Sequence, residues 1–270
     1  MEILYVDNHL LVVNKPAGQL VQGDQTGRPT LLDEARAWIK TTYARPGQVF
    51  LGLVHRLDRK ASGVVVLART SKAAARLSDE IRNHRPRKSY WALVEGAVAD
   101  RGQWVDRLER RSYTSQVVAA PYGKEARLNF QCLNRKQGIS LVEIDLETGR
   151  HHQIRVQFAA RGHPILGDRR YGARQAFFEE AIALHARQMV IRHPTGGQDM
   201  RFTADPGRAW SAWKNNLSEN ARRYRVVRQD DNGQHFEVAR NLSEQDADRL
   251  IADFEQRGHK QTYDKEAQDG

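Results

Sequence analysis

The segment HRLDRKASG, residues 55–63, places one carboxylate, Asp58, between basic residues on both sides. A β-branched apolar run, GVVVLA over residues 63–68, follows directly and predicts a central strand that is buried on both faces. A solvent-exposed carboxylate without a function would not need a position among cations at the edge of a buried strand. The segment therefore predicts a central strand and, next to it, an acidic group suited to chemistry on a polyanion.

The segments around this strand predict a mixed α/β (α+β) domain in which strands dominate. Residues 2–18 predict two strands joined by a turn at Asp7 and Asn8. Thr30, with Asp33 three residues later, predicts the cap of a helix over residues 30–43. A second helix is predicted over residues 70–84. The remaining strands are predicted over residues 88–98, 127–133, 139–147, 152–162 and 196–206.

A change to polar composition near Asn215 predicts a domain boundary, with a body over residues 1–216 and a small module over residues 217–270. In the module, Asn232-Gly233 lies between two strand-like segments and indicates a hairpin. Residues 243–258 predict a helix that Ser243 caps and Gly258 ends. A third strand is predicted at residues 259–263, which makes the module a compact ββα(β) unit.

The charge of the chain is uneven. The net charge of +10 comes from 43 basic and 33 acidic residues. Residues 218–270 hold 9 basic and 12 acidic residues, so residues 1–217 hold 34 and 21, a net of +13. A body this basic attracts polyanions and predicts nucleic acid as the partner. The alternative, that the charge serves solubility alone, stays open here because net charge specifies no partner.

The other bulk features predict a cytoplasmic protein. The single cysteine, Cys132, cannot form a disulfide within the chain, and we expect it to be a small buried residue in a reducing compartment. The N-terminal residues do not form a secretory leader, and no apolar run approaches the roughly 20 residues of a membrane span. No metal site is expected, because the Cys and His spacings of zinc sites are lacking.

Six motifs, taken together and in order, identify a family. They are NKPAG (14–18), HRLDRKASGVVVLART (55–70), KSYWALVEG (88–96), ETGRHHQIRVQFAARGHPILGDRRYG (147–172), ALHA (183–186) and RHP (192–194). The chain resembles the RluA-type RNA pseudouridine synthases from about Ile3 to about Asp205. Two positions depart from the family pattern, since Ala61 replaces a threonine and Gln157 replaces a histidine. The chain is also expected to lack the small N-terminal S4-type domain that many relatives carry.

The resemblance implies a pseudouridine synthase fold, with a mixed, mostly antiparallel central sheet flanked by helices and loops. It implies isomerisation of a uridine in a ribosomal or transfer RNA stem-loop, in which C5 replaces N1 on the ribose and no cofactor is needed. By resemblance, Asp58 is the nucleophile and Arg155 is its partner cation. Arg56 resembles the family arginine that flips the base, and Tyr90 resembles the tyrosine that lies against the uracil.

Further residues are expected to bind the substrate or support the site. Leu184 is the expected apolar wall, and His55, Lys88 and Arg150 are the other candidates for contact with the substrate. Residues 82–89 are candidates for phosphate contacts, and Lys15 with Pro16 is expected to buttress the site. The remaining motif histidines, His151, His152 and His185, are expected to be hydrogen-bonded structural or RNA-contacting residues rather than metal ligands.

Two other functions compete with this prediction. A non-catalytic RNA-binding protein can have the same fold, because fold alone does not establish activity. A glycoside or nucleoside hydrolase would need two carboxylates that flank one bond, and no second acid lies in a motif comparable to that of Asp58. We expect a monomer that binds RNA and no membrane, with a possible protein partner for residues 217–270.

Overall fold

The computed structural model describes the chain except for residues 24–26, 45–46, 179–180, 212, 214–222, 230–233, 243–246, 249, 253, 255–261 and 269–270. The chain divides into two compact units, Met1–Ala209 and Trp210–Gly270. Within the described residues, no helix has the length and apolar character needed to cross a membrane.

The first unit is built on one large sheet with three α-helices. The strands are β1 (Glu2–Val6), β2 (Leu10–Lys15), β3 (Gly52–Leu53), β4 (Ser62–Ala68), β5 (Arg87–Glu95), β6 (Arg101–Arg111), β7 (Thr114–Val118), β8 (Lys124–Lys136), β9 (Ile139–Leu146), β10 (Leu184–Arg192) and β11 (Asp199–Thr203). The helices are α1 (Leu31–Thr42), α2 (Ser71–Arg82) and α3 (Gln153–Ala159).

The strands form an eleven-stranded sheet in the order β1-β2-β4-β10-β5-β9-β8-β6-β7, with β11 on β10 and β3 on β4. The pair β4–β10 is parallel, and the other pairs of this sheet are antiparallel. The predicted mixed, mostly antiparallel sheet is therefore confirmed. The order makes β4, β10 and β5 direct neighbours at the centre of the sheet, although they are far apart in sequence.

Local sequence signals explain several of these elements. Asp7 closes the β1–β2 hairpin, because its Oδ1 accepts from the backbone N–H groups of His9 and Leu10. Thr30 and Asp33 form the predicted capping box of α1. The run from Val64 to Ala68 is almost fully buried, as predicted for a central strand covered on both faces.

The strand predicted over residues 152–162 is wrong, because this segment forms helix α3. Every residue from Gln153 to Phe158 is buried. A short helix that is buried on all sides shows no 3.6-residue alternation of polar and apolar residues, so its β-branched residues mimic a strand. Strands β3, β6, β7 and β10 lie outside the predicted strands. In β6 and β7 few positions are buried, so these two segments show no clear alternation of buried and exposed residues.

The second unit contains β12 (Arg223–Gln229), β13 (His235–Leu242) and β14 (Thr262–Gln268), in the antiparallel order β13-β12-β14. Its core joins Val226, Ala247 and Tyr263, with Leu250 and Phe254 packed against them. The predicted boundary after Asn216, the turn at Asn232-Gly233, the cap Ser243 and the stop Gly258 lie outside the described residues. The module as a separately folding domain stays a prediction.

Candidate active site

The centre of the sheet brings three predicted site residues together. Asp58 lies in the loop between β3 and β4, Tyr90 lies on β5, and Leu184 opens β10. Helix α3 adds Arg155, and all four residues line one cavity. The close packing of β4 on β10 depends on Gly63, which has a φ of 120° and whose missing Cβ would lie 2.6 Å from the backbone nitrogen of Ala186.

The two oxygens of the Asp58 carboxylate have different surroundings. Oδ2 accepts a short hydrogen bond from the Arg155 guanidinium and lies 3.1 Å from Nε2 of His152. Oδ1 accepts only from the backbone N–H of Lys60, at 3.1 Å, among the groups that the structure describes. One oxygen is therefore held by two side chains, and the other keeps lone-pair capacity.

Arg155 is itself fixed by a second carboxylate. Its Nε and Nη2 donate to the two oxygens of Asp168, both at 2.6 Å, which is a bidentate pair. The side chains of Arg155 and Asp168 are only 3% and 1% exposed. Because the guanidinium plane is locked by Asp168, its remaining nitrogen is aimed at Asp58 and cannot reorient freely.

His152 extends this network away from Asp58. Its Nδ1 lies 2.9 Å from the hydroxyl of Tyr171, and that hydroxyl accepts from the backbone N–H of Ser115 at 2.8 Å. The ring of Tyr171 also lies under the Arg155 guanidinium, 4.9 Å from its centroid. In this arrangement Tyr171 donates to His152, and His152 donates to Asp58. The carboxylate is thus connected to strand β7 by a chain of hydrogen bonds.

The electrostatics of the site favour an ionised Asp58. Burial would raise the pKa of Asp58, but the hydrogen bond from His152, the charge of Arg155 and the Lys60 N–H hold that pKa well below its usual range. Burial raises the pKa of the Tyr90 phenol to about 12, so that hydroxyl keeps its proton at neutral pH. The site therefore combines a carboxylate anion with a neutral aromatic ring.

Lys15 supports the loop that carries Asp58. The side chain is fully buried, and its Nζ donates to the carbonyl oxygens of Pro16, Gln19 and Arg59, at 2.8, 3.0 and 3.2 Å. Burial, opposed by the charge of Asp58, lowers the pKa of Lys15 to about 7. One of the three acceptors directly follows the nucleophile candidate in sequence, so Lys15 buttresses the site as predicted.

The cavity beside Asp58 has a volume of about 830 Å³ and a strongly basic lining. Asp58 is the acidic residue of this lining, whose other charged members are arginine or lysine. These cations are Arg56, Arg59, Arg82, Lys88, Arg110, Arg150 and Arg155. Two of them, Arg82 and Lys88, come from the segment 82–89 that was predicted to contact phosphate.

The remaining predicted residues differ in how they are held. Arg56 is exposed at the cavity, and its side chain has no hydrogen bond or ion pair to any described residue. Arg150 donates through Nε to the carbonyl of Glu125 at 2.8 Å. His55 accepts from the backbone N–H of Val66 at 2.9 Å, and burial together with the charge of Lys88 lowers its pKa to about 4. His55 thus fastens the Asp58 loop to strand β4 as well as facing the cavity.

The two departures from the family pattern lie away from the cavity lining. Gln157 is buried and donates to Asp106 on β6 at 2.7 Å. Ala61 is also buried, and its N–H closes a turn to the carbonyl of Asp58 at 3.1 Å. His185 is hydrogen-bonded to Ser62 at 2.9 Å, which matches the structural role expected for it.

Sequence reasoning missed part of the network. Asp168 and Tyr171 lie in the motif ILGDRRYG, and Ser115 lies outside every motif that was singled out. An isolated acid in a turn has no local pattern that marks it as a partner of Arg155. Trp91 on β5 is only partly buried; its Nε1 donates to Glu143 at 3.2 Å and its ring lies under Arg187.

The chain is similar to proteins of one family. The family model described as RNA pseudouridylate synthase matches residues 9–160. The dual-specificity RNA pseudouridine synthase RluA of Haemophilus influenzae is 36% identical over 216 residues, which are 76% of this chain and 92% of that protein. The ribosomal large subunit pseudouridine synthase D of Zymomonas mobilis is 35% identical over 223 residues, 76% of this chain and 69% of the relative.

A solved structure shows the same fold. The human RNA pseudouridylate synthase domain containing 4 superposes with a TM-score of 0.67 at 24% identity, covering 80% of this chain and 93% of that one. The match shows that the two chains share a fold.

Proposed function

The chain belongs to the RluA-type RNA pseudouridine synthases, and we propose that Asp58 is the nucleophile with which it isomerises a flipped uridine in structured RNA. As a member of this family it is an isomerase that converts uridine in RNA to pseudouridine. The proposal concerns the residues that do this and the class of RNA that is modified.

The asymmetry of the Asp58 carboxylate carries the proposal. A nucleophilic carboxylate must be ionised, fixed in orientation and free at one oxygen. Arg155 and His152 fix Oδ2 and favour the anion, while Oδ1 keeps a lone pair beside the cavity. Asp168 contributes indirectly, because it fixes the orientation of Arg155.

The reaction needs no oxidant, reductant or water. The bond from N1 to the ribose C1′ breaks, the uracil turns in the cavity, and a bond from C5 to C1′ forms. One proton leaves C5 and one arrives at N1, so atoms and electrons balance. Asp58 forms a transient covalent bond either to the ribose or to the base, and it is released when the product forms. Both routes require the same free carboxylate oxygen.

The target uridine must leave its base stack to reach Asp58. We assign this step to Arg56, whose exposed and uncommitted guanidinium can fill the vacated space and contact the backbone phosphates. The flipped uracil then lies between Tyr90 and Leu184. Burial keeps the Tyr90 hydroxyl protonated, so Tyr90 contributes its ring face.

Lys88, His55 and Arg150 complete the proposed substrate contacts. Lys88 and Arg150 are the cations suited to the phosphates that flank the flipped nucleotide. His55 keeps a neutral ring and offers a polar edge to the sugar or base. The basic lining around a single acid matches a polyanionic substrate better than a small neutral one.

The class of RNA is proposed from the relatives. One is named for the ribosomal large subunit and another for dual specificity, and we propose a ribosomal or transfer RNA stem-loop for this chain. A cytoplasmic location, a monomeric state and a protein partner for residues 217–270 stay predictions. A purely RNA-binding role is disfavoured, because an ionised carboxylate among the cations of the cavity would repel a polyanion, whereas a nucleophile must be ionised there.

Mapping of pseudouridine at nucleotide resolution tests the substrate. The experiment compares RNA from three kinds of cell. The first has the gene, the second lacks it, and the third lacks it but is supplied with the Asp58→Asn protein. We expect one or a few uridines in ribosomal or transfer RNA to lose modification without the gene and to stay unmodified with the variant. Loss of no site, or full restoration by Asp58→Asn, would contradict the proposal.

A further inference from the structure

The turn between β6 and β7 presents an aromatic side chain to solvent. Arg111 pairs with Thr114, so Ser112 and Tyr113 form a two-residue turn. Such turns favour Asn-Gly, and Ser112 adopts a φ of 41° without being glycine. Tyr113 is 79% exposed, the largest exposure among the large apolar side chains that the structure describes. The fold does not require an aromatic residue at this position.

The backbone that carries Tyr113 is firmly held although its ring is free. Arg170 donates to the carbonyl of Tyr113 at 2.8 Å, and the hydroxyl of Thr114 donates to the carbonyl of Arg111 at 3.2 Å. Two residues along, the N–H of Ser115 donates to the Tyr171 hydroxyl at 2.8 Å. An exposed ring on a fixed backbone is pre-organised, because a ligand need not order the loop on binding.

The turn lies beside the active-site cavity. Arg110, three residues before Tyr113, lines that cavity. Ser115, two residues after Tyr113, is hydrogen-bonded at 2.9 Å to His151, which also lines it. With a rise of about 3.4 Å per residue, the backbone of Tyr113 lies within about 7 Å of Ser115. A base close to the target nucleotide along an RNA chain is within reach of this ring.

The charges around the turn favour RNA over a protein as the occupant. Arg110, Arg169 and Arg170 are exposed, and none of them forms an ion pair with a carboxylate in the described part of the chain. Arg111 is the exception, since it pairs with Glu109 at 2.7 Å. Arg110 and Arg170 each donate once to a backbone carbonyl of the turn and keep their other N–H groups for a ligand. An aromatic ring flanked by arginines without a carboxylate partner is the arrangement that binds an unpaired base together with its phosphate.

We propose that Tyr113 forms a second base-binding subsite, in which its ring stacks on an unpaired base close to the target uridine. Arg110 and Arg170 hold the phosphates between the two bases. The inference rests on the proposed function, since it concerns the same RNA. It adds a structural requirement to the substrate: a second base near the target must be free to leave the helix.

Four proteins test the subsite: the wild type, Tyr113→Ala, Tyr113→Phe and Tyr122→Ala. Tyr122 is the matched control, because it is 67% exposed beyond the other end of β7, where none of the residues 116–124 lines the cavity. The probe is a fluorescently labelled stem-loop that contains the uridine found by mapping. Its loop nucleotides near the target are replaced one at a time by abasic sites, and affinity is measured by anisotropy.

We expect Tyr113→Ala to bind the intact stem-loop about tenfold more weakly, which corresponds to about 1.4 kcal/mol. Tyr113→Phe and Tyr122→Ala should bind like the wild type. An abasic site at one loop position should weaken stem-loop binding by the wild type to the same extent. The same abasic site should not weaken binding by Tyr113→Ala any further. That coincidence identifies a stacked base, which a structural role of Tyr113 would not produce.

Other outcomes would overturn the inference. Unchanged affinity of Tyr113→Ala for the stem-loop would exclude the subsite. A turn that contacts a protein instead of RNA would give this result. Equal losses for Tyr113→Ala and Tyr113→Phe would indicate the hydroxyl rather than the ring. If every abasic RNA binds the wild type with unchanged affinity, no second base is bound. This result uses the wild type alone, so it holds even when Tyr113→Ala folds poorly. A wild type that binds the RNA but does not modify it would contradict the proposed function. The affinities would still show whether Tyr113 stacks on a base, so the two failures are distinguishable.

Discussion

Arg155 is the residue that links the two acids of the site. It is buried, it forms a bidentate pair with Asp168, and its remaining nitrogen reaches Asp58. Removing one partner of a buried pair costs more than the pair contributes, because the other charges are left unpaired. In this site two carboxylates depend on one guanidinium, so we propose that Arg155 serves both stability and catalysis.

Arg155→Ala should therefore lose activity and about 3–5 kcal/mol of unfolding free energy. Arg155→Lys should recover part of the stability, but an ammonium cannot form the bidentate pair with Asp168 and also reach Asp58. Urea denaturation and tritium release from C5-labelled uridine RNA measure the two effects. An alanine variant that unfolds at the wild-type urea concentration and stays active would disprove the shared pairing.

His55 makes the stability of the fold sensitive to acid. Its Nε2 accepts from Val66, which requires a neutral ring, and burial lowers its pKa to about 4. An unfolded histidine titrates near 6.5, so between these values only the unfolded state binds the proton. Stability should fall as pH drops from 6.5 toward 4.

We expect His55→Gln to reduce this acid sensitivity by about 1–2 kcal/mol between pH 7 and pH 5, since Gln can accept the same hydrogen bond without titrating. The exposed His84→Gln serves as the control and should keep the wild-type pH dependence. Urea denaturation at both pH values gives the difference. Parallel pH curves for His55→Gln and the wild type would show that His55 is not held neutral.

At the scale of elements, the parallel contact of β4 with β10 aligns the active site. Asp58 precedes β4 and Leu184 opens β10, so the spacing between the two strands sets the distance between these side chains. Gly63 permits the approach, because a Cβ there would meet the backbone of Ala186.

Gly63→Ala should destabilise the chain by several kcal/mol and abolish activity, since both the clash and the positive φ oppose a side chain. Gly162→Ala is the matched control, with a φ of 79° but open space around its Cβ position, and should cost only about 1 kcal/mol. Thermal unfolding compares the two variants. Equal losses would mean that backbone strain, and not the approach of the two strands, explains the glycine.

The sequence predicted a helix best where one face of the helix is buried and the other is exposed to solvent. Helix α1 has both a capping box and an amphipathic pattern, and its prediction is confirmed. Helix α3 is buried on all sides, so its apolar and polar residues do not alternate with the 3.6-residue period of a helix. Burial in the packed fold determines its conformation. Strands β6 and β7 have few buried positions, and the pairing of β6 with β8 and of β7 with β6, rather than local propensity, accounts for them.

For the site, the family resemblance indicated most residues and one connection, Arg155 with Asp58, but not the others. Asp58, Tyr90, Arg155 and Leu184 share one cavity, as the family resemblance implied. Asp168 and Tyr171 could not be assigned to Arg155 and His152 from the sequence, because those contacts exist only after α3 has packed. The positions of side chains on separate elements are a property of the packed fold.

At the scale of the whole molecule, the two units differ in charge. Residues 1–217 carry a net +13 and residues 218–270 carry a net −3, while every residue that lines the cavity lies in Met1–Ala209. An acidic module could restrict which RNAs bind a basic body, or it could contact a protein. The catalytic body does not need the module for any contact described in the site.

A chain that ends at Asn216 should therefore fold and modify the minimal stem-loop at a rate within a few-fold of the full chain. Changes are expected in affinity or in the choice among RNAs, because removal of the module removes negative charge. Circular dichroism, tritium release and the salt dependence of RNA binding measure these properties. A truncated chain that is folded but inactive on every RNA modified by the full chain would make the module part of the enzyme.

The central claim is that the free oxygen of Asp58 performs the chemistry, and single-turnover tritium release from C5-labelled uridine RNA tests it most directly. Asp58→Asn keeps the shape of the side chain but not its nucleophilicity. Asp106→Asn is the control, since Asp106 pairs with Arg161 and Gln157 away from the cavity. We predict no release above background for Asp58→Asn, with RNA affinity within a few-fold of the wild type, and near-normal release for Asp106→Asn. Turnover by Asp58→Asn at even about 2% of the wild-type rate, a loss smaller than that expected for removal of a nucleophile, would contradict the account.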